Sequence, residues 1–211
     1  MEINLIEISG IKAIEKAAAM PFQTNTIDYS GLAYRVWKSQ HRSICRHGVI
    51  SFEVKDISQD ALRQLSRHPH INLTVKSTRY CDMSDTNNFI PKWVTSGLKE
   101  EYETDFCKIR NMYEKWQRIE MLESEEDTAK LFLPLMSTTD LVLSGNIQAM
   151  YEFLMLRNCE RASEEIRGMS RRITKMLSEE AGLVGMIFRE LDCKGKEYGK
   201  CPEHKGCGKY E

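Results

Sequence analysis

Short strand-like segments alternate with amphipathic helical segments along most of this chain, and this alternation limits the folds that the chain can adopt. INLIEIS, residues 3–9, alternates like a strand, and VISFEVKD, residues 49–56, has the β-branched and aromatic content of one. GLAYRVWKSQ, residues 31–40, carries apolar residues at helical spacing. The segment 57–68 is predicted to be a helix with Ser58 as its N-cap. The sequence therefore predicts a domain that contains both strands and helices.

The rest of the chain continues this alternation. Residues 71–80 read as a strand, and the charged segment 100–123 is expected to be a solvated helix. The apolar stripe of that helix would consist of Phe106, Ile109, Met112 and Tyr113. TTDLVLSG, residues 138–145, predicts a short strand or turn, and Asn146 opens a helix that reaches roughly Arg161. A further helix is predicted in EEIRGMSRRITKMLSEE.

We expect one domain over residues 1–190 and a small tail over residues 191–211. A chain of 211 residues suits one domain with a sizeable core, and from Cys193 onward Gly, Lys and Cys replace the apolar pattern. Four tail residues are of a type that binds tetrahedral zinc, namely Cys193, Cys201, His204 and Cys207. Their spacing is not that of a standard zinc finger. We therefore assign no metal site and prefer a disordered or locally packed reduced tail.

Charge and hydropathy exclude several classes of protein. The formal net charge is −1 and the sequence pI is about 6.5, whereas proteins that bind duplex nucleic acid usually carry a basic excess. No apolar run approaches the ~18 residues of a membrane span, and the acidic N-terminus MEINLIEISG does not fit a signal peptide. The odd number of cysteines, 7, indicates reduced thiols. We therefore expect a cytoplasmic protein that binds neither nucleic acid nor membrane.

Anion-seeking side chains are gathered in RHPHINLTVKSTRY, residues 67–80. The preceding helix end would present Gln64, Arg67 and His68 on one face. If the following segment is a strand, Ser77 and Arg79 project to the same side of it. These groups predict a site for phosphate or carboxylate, which the planar fork of arginine binds with two parallel hydrogen bonds. The alternative is that they are surface charges that solvate a helix end.

A second cationic cluster lies on the predicted late helix. Arg157 and Arg161 are one helical turn apart, and like charges at this spacing repel unless an anion lies between them. Alternatively, Glu164 and Glu165 neutralise Arg161, and Arg157 is left without an obvious local partner.

These blocks resemble the flavin-dependent thymidylate synthase family. The family signature RHRxxSxNxxSxRY is matched in length by residues 67–80 and in type at Arg67, His68, Ser77, Arg79 and Tyr80. HRSICRHGVISFEV resembles the family's H-x-[ST]-x-x-E-H segment through His41, Ser43 and His47. AKLFLP resembles its A-R-x-x-L-P, and NIQAMYEFLMLRNCERASEEIR resembles its N-x-R-x-x-x-x-F-L-x-L-R-x-x-x-x-A-Q-x-E-I-R. The order and spacing of the four blocks hold from about residue 28 to residue 180.

The resemblance implies an α+β fold, a single domain in which helices flank a central, mostly antiparallel sheet. It implies a methyltransferase that reductively methylates dUMP to dTMP with methylenetetrahydrofolate as co-substrate and with FAD and NADPH as redox partners. It further implies a homotetramer with sites at subunit interfaces and no catalytic cysteine. Two alternatives remain: a related one-carbon transfer, such as hydroxymethylation of a pyrimidine deoxynucleotide (dUMP or dCMP), and an inactive nucleotide-binding homologue.

The resemblance also implies roles for individual residues. The dUMP-binding set would be Gln64, Ser77, Arg79, Lys130 and Arg157. The FAD-binding set would be His41, Ser43, Arg67, His68 and Arg161. Within these sets Arg157 and Ser77 would be catalytic. Arg157 would contact the uracil ring, where a cation stabilises the negative charge that develops as carbon 5 becomes nucleophilic.

The sequence departs from the family pattern mainly at positions that face the flavin. Pro69 replaces the second signature arginine, Arg46 replaces a glutamate, Glu152 an asparagine, and Arg161 a common histidine. Within the signature, Asn72 and Thr74 replace Ser and Asn. In the AKLFLP block, Lys130 replaces an arginine. Either the site accommodates FAD with rearranged charges, or the nucleotide site persists while the flavin, folate or electron chemistry has changed. We favour the first interpretation, in which Arg46 and Arg161 compensate for the arginine lost at position 69.

Overall fold

Four antiparallel strands form one sheet, on which the rest of the chain is assembled. The computed structural model describes residues 1–23, 28–123, 125 and 127–211. The strands are β1 (Glu2–Ser9), β2 (Val49–Ser58), β3 (Ile71–Val75) and β4 (Thr138–Asn146), in the spatial order β1-β2-β4-β3. All three strand pairs are antiparallel. The predicted α+β fold with a central antiparallel sheet is therefore confirmed.

Eight α-helices accompany this sheet in the described part of the chain. They are α1 (Ile11–Ala19), α2 (Tyr29–Lys38), α3 (Gln59–Leu65), α4 (Ser96–Glu123), α5 (Ile147–Arg157), α6 (Glu164–Glu179), α7 (Gly182–Phe188) and α8 (Lys194–Tyr198). Short 3-10 turns occur at Met20–Phe22, Arg42–His47 and Ala129–Phe132. Among the described residues, we find no helix with the length and apolar content that crossing a membrane requires.

The core lies on one face of the sheet, around α5. In β2 the buried side chains of Ile50, Phe52 and Val54 alternate with more exposed ones, as expected for a strand with one solvated face. The α5 residues that are fully or almost fully buried are Ile147, Met150, Phe153 and Leu154. Most α5 side chains are buried, and only the side with Gln148, Glu152 and Leu156 reaches solvent, so α5 is the central helix of the core and Arg157 is its last residue.

Several predicted elements have different bounds in the structure. The strand predicted over 71–80 ends at Val75, so Ser77 and Arg79 lie on the turn that follows it and not on a strand face. The late helix ends at Arg157 and not near Arg161. TTDLVLSG is part of a full central strand, β4, because it pairs with a neighbour on each side.

The predicted apolar stripe of α4 is only partly correct. Phe106 and Tyr113 are buried, and Tyr113 packs with Met83 and Ala129 in a small second core. Met112 is 52% exposed, so the described part of the chain does not cover the helix surface around Met112. The charged composition of α4 correctly indicated that most of its surface is solvated.

The junction between β2 and α3 is held by a buried carboxylate. Ser58 caps α3, as predicted, because its Oγ accepts a hydrogen bond from the backbone N of Ala61 at 3.1 Å. The backbone N of Ser58 donates to Glu165 Oε1 at 2.8 Å, and the Ser58 hydroxyl donates to Glu165 Oε2. Burial raises the pKa of the Glu165 carboxyl, and the hydrogen bonds from Ser58 oppose that shift. The expectation that Glu165 neutralises Arg161 is therefore wrong.

Replacing Ser58 with Ala should destabilise the fold, since it removes the helix cap and one of the two donors to a buried carboxylate. We expect the free energy of unfolding to fall by about 2 kcal/mol in urea denaturation. Ser66→Ala at the other, exposed end of α3 is the matched control, and it should change that free energy by less than about 0.5 kcal/mol. Equal losses in the two variants would contradict the role given to the junction.

Candidate active site

The C-terminal ends of α3 and α5 meet through an arginine and a histidine. Arg157 Nε donates a hydrogen bond to His68 Nε2 at 2.9 Å, and Arg157 Nη2 donates to the carbonyl oxygen of Gln64 at 3.2 Å. The His68 ring packs edge-on against Phe153, with 4.8 Å between the ring centroids. The guanidinium of Arg157, for which the sequence showed no local partner, is therefore oriented from α3.

The electrostatics of this pair keep His68 neutral. Burial, and secondly the positive charge of Arg157, lower the pKa of His68 to about 4. Because Nε2 accepts the bond from Arg157, the ring proton of the neutral histidine is on Nδ1. Burial and the charge of Arg67 also lower the pKa of Arg157 from its ordinary value.

The side chain of Gln64 connects α3 to the start of α6. Its Oε1 accepts a hydrogen bond from Ser163 Oγ at 3.1 Å, and its Nε2 donates to Asp60 Oδ2 at 3.0 Å. Gln64, His68 and Arg157, three of the predicted site residues, thus lie together; the helix-end spacing had grouped Gln64 and His68 with Arg67, whereas Arg157 came from the family resemblance.

A second cluster lies beneath α4. Arg79 Nε and Lys130 Nζ both bind Asp127 Oδ1, at 2.9 and 2.7 Å. The hydrogen bond from Lys130 and the charge of Arg79 lower the pKa of Asp127, with burial opposing them. Ser77 Oγ accepts a hydrogen bond from the backbone N of Arg79 at 3.2 Å. Asp127 was not predicted, although its position three residues before Lys130 is a spacing at which side chains can meet.

Arg79 and Lys130 line a cavity of about 490 Å³, which is within the range of small-molecule sites. The same cavity is lined by Tyr80, Tyr113, Gln117, Glu120 and Asp127. Arg157 lines a different cavity, whose wall includes Arg161 and part of the tail. One chain thus divides the predicted dUMP set between two places: Arg79, Lys130 and Ser77 in one, and Gln64 and Arg157 in the other.

The predicted flavin residues His41 and Ser43 are exposed and flank the first residue of the turn Arg42–His47. In the same turn, Arg46 Nε donates to Gln148 Oε1 at 2.9 Å, and Gln148 Nε2 donates to Glu152 Oε1 at 2.8 Å. Two of the departures from the family pattern, Arg46 and Glu152, are therefore joined through one glutamine.

Two further departures from the family pattern are Pro69 and Arg161. Pro69 follows α3 by four residues, so the helix ends at Leu65 before the proline and not because of it. Arg161 Nη1 donates to the carbonyl oxygen of Lys205 at 2.6 Å and thereby contacts the tail. The predicted neutralisation of Arg161 by Glu164 is not observed, since Glu164 accepts from the backbone N of Lys92 at 3.2 Å.

The tail residues of zinc-binding type do not form a metal cluster. In the part of the chain that the structure describes, no three His, Cys, Asp or Glu side chains are grouped as metal ligands. Cys193 is buried and Cys201 half-buried, whereas His204 and Cys207 are exposed.

The fold is similar to a known class of structure. Thymidylate synthase X from Helicobacter pylori, solved in complex with FAD and dUMP, superposes with a TM-score of 0.65 over 90% of this chain and 100% of that one, at 24% sequence identity. The architecture of the chain is therefore that of the flavin-dependent thymidylate synthases.

The sequence comparisons then show the family. The model of the thymidylate synthase complementing protein family matches residues 5–181, and the chain belongs to this family. A flavin-dependent thymidylate synthase of Helicobacter pylori is 30% identical over 152 residues, which is 67% of this chain and 73% of that protein. One from Thermococcus kodakarensis is 29% identical over 185 residues, 83% of this chain and 75% of that protein. The family expected from the four sequence blocks is thus confirmed.

The contact between His68 and Arg157 generates a prediction about titration. NMR should show His68 titrating near pH 4, and Arg157→Leu should raise this pKa while leaving it below the ordinary 6.5, because burial is the larger cause and persists. Between pH 4 and pH 6.5 His68 is protonated in the unfolded state and neutral in the folded state. The free energy of unfolding should therefore decrease as pH falls from 6.5 towards 4.

Arg79→Leu is the control for that titration, since Arg79 lines the other cavity. It should leave the titration of His68 unchanged. A His68 titration near pH 6.5 in the unaltered protein would contradict the buried contact with Arg157.

Proposed function

We propose that this chain reductively methylates dUMP to dTMP, with methylenetetrahydrofolate as the one-carbon donor and NADPH as the source of reducing equivalents. The observation that carries the proposal is the placement of the cations: Arg79 and Lys130 converge in one cavity, while Arg157 is oriented by His68 and Gln64. Each of these residues also stands at a family motif position. The free thiols fit a reducing compartment, and we place the reaction in the cytoplasm.

The phosphate of dUMP would bind between Arg79 and Lys130. In the structure Asp127 lies between these two cations and holds both side chains in place. A phosphate carries more charge and more acceptor oxygens than one carboxylate, so it competes well for the same donors. Ser77, at the start of the same turn, would add a hydroxyl contact.

Arg157 would contact the uracil ring. Its guanidinium is held at Nε and Nη2, so its orientation is set before the substrate binds. Partial burial strengthens its electrostatic effect, because the local dielectric is lower than that of water. A fixed cation of this kind stabilises the negative charge that forms on the ring as carbon 5 becomes nucleophilic.

The proposed flavin residues offer donors that fit FAD. Arg67 and the hydroxyl of Ser43 are exposed donors of the type that binds phosphate and ring oxygens, and the neutral His68 has its proton on Nδ1. His41 and Arg161 complete the proposed set, with Arg161 held by the tail. When bound, the flavin supplies the electron transfer, and the protein supplies binding and orientation.

Incubation of the purified protein with dUMP, FAD, methylenetetrahydrofolate and NADPH tests the reaction. We expect a product with the mass of dTMP, formed only when all four are present. A related hydroxymethylation of a pyrimidine deoxynucleotide is the second candidate. A hydroxymethyl product from dUMP or dCMP would favour this second candidate, and binding of dUMP without any product would indicate an inactive homologue.

We further propose that the protein is a homotetramer with sites at subunit interfaces. This arrangement would bring the Arg79 cavity of one chain to the Arg157 of another, and it accounts for the separation of the two clusters within one chain. The exposed Met112, Met121 and Leu122 on α4 provide apolar surface that a partner chain would cover.

Mixing of two impaired variants tests the interface. Arg79→Ala should weaken dUMP binding by about 2–4 kcal/mol, since a charge-assisted contact is lost, and Arg157→Ala should abolish turnover. If the two clusters meet across an interface, mixed tetramers of these variants contain some intact sites and recover part of the activity.

The control mixes Arg79→Ala with Lys130→Ala. These residues line the same cavity of one chain, so every mixed site keeps one defect and no activity should return. Equal behaviour of the two mixtures, with mixed tetramers verified, would show that each site is built within one chain.

A further inference from the structure

The last residues of the tail fold back on the beginning of the tail. Lys209 Nζ and Tyr210 OH both donate to Asp192 Oδ2 at 2.6 Å, and the backbone N of Cys201 donates to the carbonyl oxygen of Tyr210 at 2.8 Å. Tyr210 packs directly on Gly195, where a Cβ atom would lie 2.7 Å from the Cβ of the tyrosine. These contacts close the tail into a loop that holds α8 in a defined position.

From α8, Glu197 reaches a buried arginine of the body. Its Oε1 forms an ion pair with Arg42 Nη2, and both side chains are only 15% exposed. Its Oε2 accepts a hydrogen bond from Tyr151 OH at 2.6 Å. Both carboxylate oxygens are therefore used, one for a turn of the body and one for the central helix α5.

Arg42 is held by the ion pair with Glu197 and by two aromatic rings, while its buried Nε has no hydrogen-bond partner among the described residues. Its guanidinium carbon lies 4.8 Å from the ring centroid of Trp37 and 4.9 Å from that of Tyr151, so the cation is held between two aromatic rings. Burial raises the pKa of Glu197, but the hydrogen bonds from Tyr151 and Arg42 outweigh this effect and lower it overall. Glu197 is thus the anion that neutralises the largely buried cation of Arg42. Removing the charge of Glu197 would leave the charge of Arg42 unpaired.

The place of Arg42 in the chain connects this contact to the site. Arg42 is the first residue of the turn Arg42–His47 and stands between His41 and Ser43, the proposed flavin residues. The family model ends at residue 181, so Glu197 lies beyond the part of the chain that it covers.

We propose that Glu197 is a positioning residue of the flavin site, which through Arg42 holds the turn that carries His41 and Ser43. The proposal rests on the proposed flavin function of that turn. It makes docking of the tail and binding of FAD interdependent, since the contact that holds α8 also orders the turn.

Glu197→Gln tests the proposal, because it keeps the size of the side chain and removes its charge. Titration with FAD, followed by flavin fluorescence, should show binding about tenfold weaker than in the unaltered protein. The affinity for dUMP should be unchanged, and turnover at saturating FAD should return to the unaltered rate. A merely structural loss would lower both affinities together. Glu211→Gln, the same change at an exposed position of the tail, is the control and should bind FAD as the unaltered protein does.

Two further variants keep the test decisive if Glu197→Gln folds poorly. Tyr151→Phe keeps the ring against Arg42 and removes only the hydrogen bond to Glu197, so FAD binding should weaken by about fivefold. The double variant Arg42→Gln with Glu197→Gln is compared with Arg42→Gln and Glu197→Gln alone. Its affinity for FAD should be no lower than that of whichever single variant binds FAD more weakly, because the two residues act as one unit.

The outcomes separate this proposal from the proposed function. If the unaltered protein binds no FAD, the proposed function fails. If it binds FAD and Glu197→Gln binds equally well, the positioning role fails while the proposed function stands. Multiplying losses in the double variant, or equal loss of dUMP and FAD affinity in Glu197→Gln, would also overturn the positioning role.

Discussion

The hydrogen bonds between Ser58 and the buried carboxylate of Glu165 set the point at which β2 becomes α3. Because the bonds come from a backbone N–H and a hydroxyl of one residue, they fix both the position and the direction of the chain at the junction. The helix that begins there carries Gln64 in its last turn and leads into His68, and these two residues orient Arg157. The contact at the N-terminal end of α3 thus determines where the cation of the proposed uracil site lies.

The three cations of the proposed site are held by two different kinds of partner. Arg157 is held by a neutral imidazole and a carbonyl oxygen, which orient it without cancelling its charge. Arg79 and Lys130 share Asp127, an anion that a phosphate can displace. The difference matches the proposed roles, since a permanent charge is required at the ring and an exchangeable partner at the phosphate.

The departures from the family pattern are not isolated substitutions. Arg46 and Glu152 are joined through Gln148, and Arg161 donates to the tail. The tail contributes Glu197 to the turn that precedes β2. Residues particular to this chain thus form contacts around the proposed flavin positions, and one of these contacts, Arg42–Glu197, is an ion pair. That Arg46 and Arg161 compensate for the arginine lost at Pro69 stays a prediction.

The sequence by itself determined the features that depend on near neighbours. Periodicity predicted most of the helices and strands, and the caps at Ser58 and Asn146 were readable because a cap bonds a backbone N–H three residues on. The motif blocks identified the family, and the helical spacing placed Gln64 and His68 near one helix end. These signals are local, so they survive without knowledge of the packing.

Only the tertiary structure decided the contacts between distant parts of the chain. β3 ends at Val75, opposite Leu141 of β4, although the alternation continues to residue 80, because beyond this pair only the backbone N of Lys76 still donates to β4, at the carbonyl oxygen of Asp140. The pairing of Glu165 with Ser58, and of Glu197 with Arg42, joins residues 107 and 155 positions apart. Local spacing assigned Glu165 to Arg161 instead, because charge pairs on one helix face are visible in a sequence. Which buried charges meet across the core depends on how the helices pack, and the physical reason is that a buried charge requires a partner wherever the fold places one.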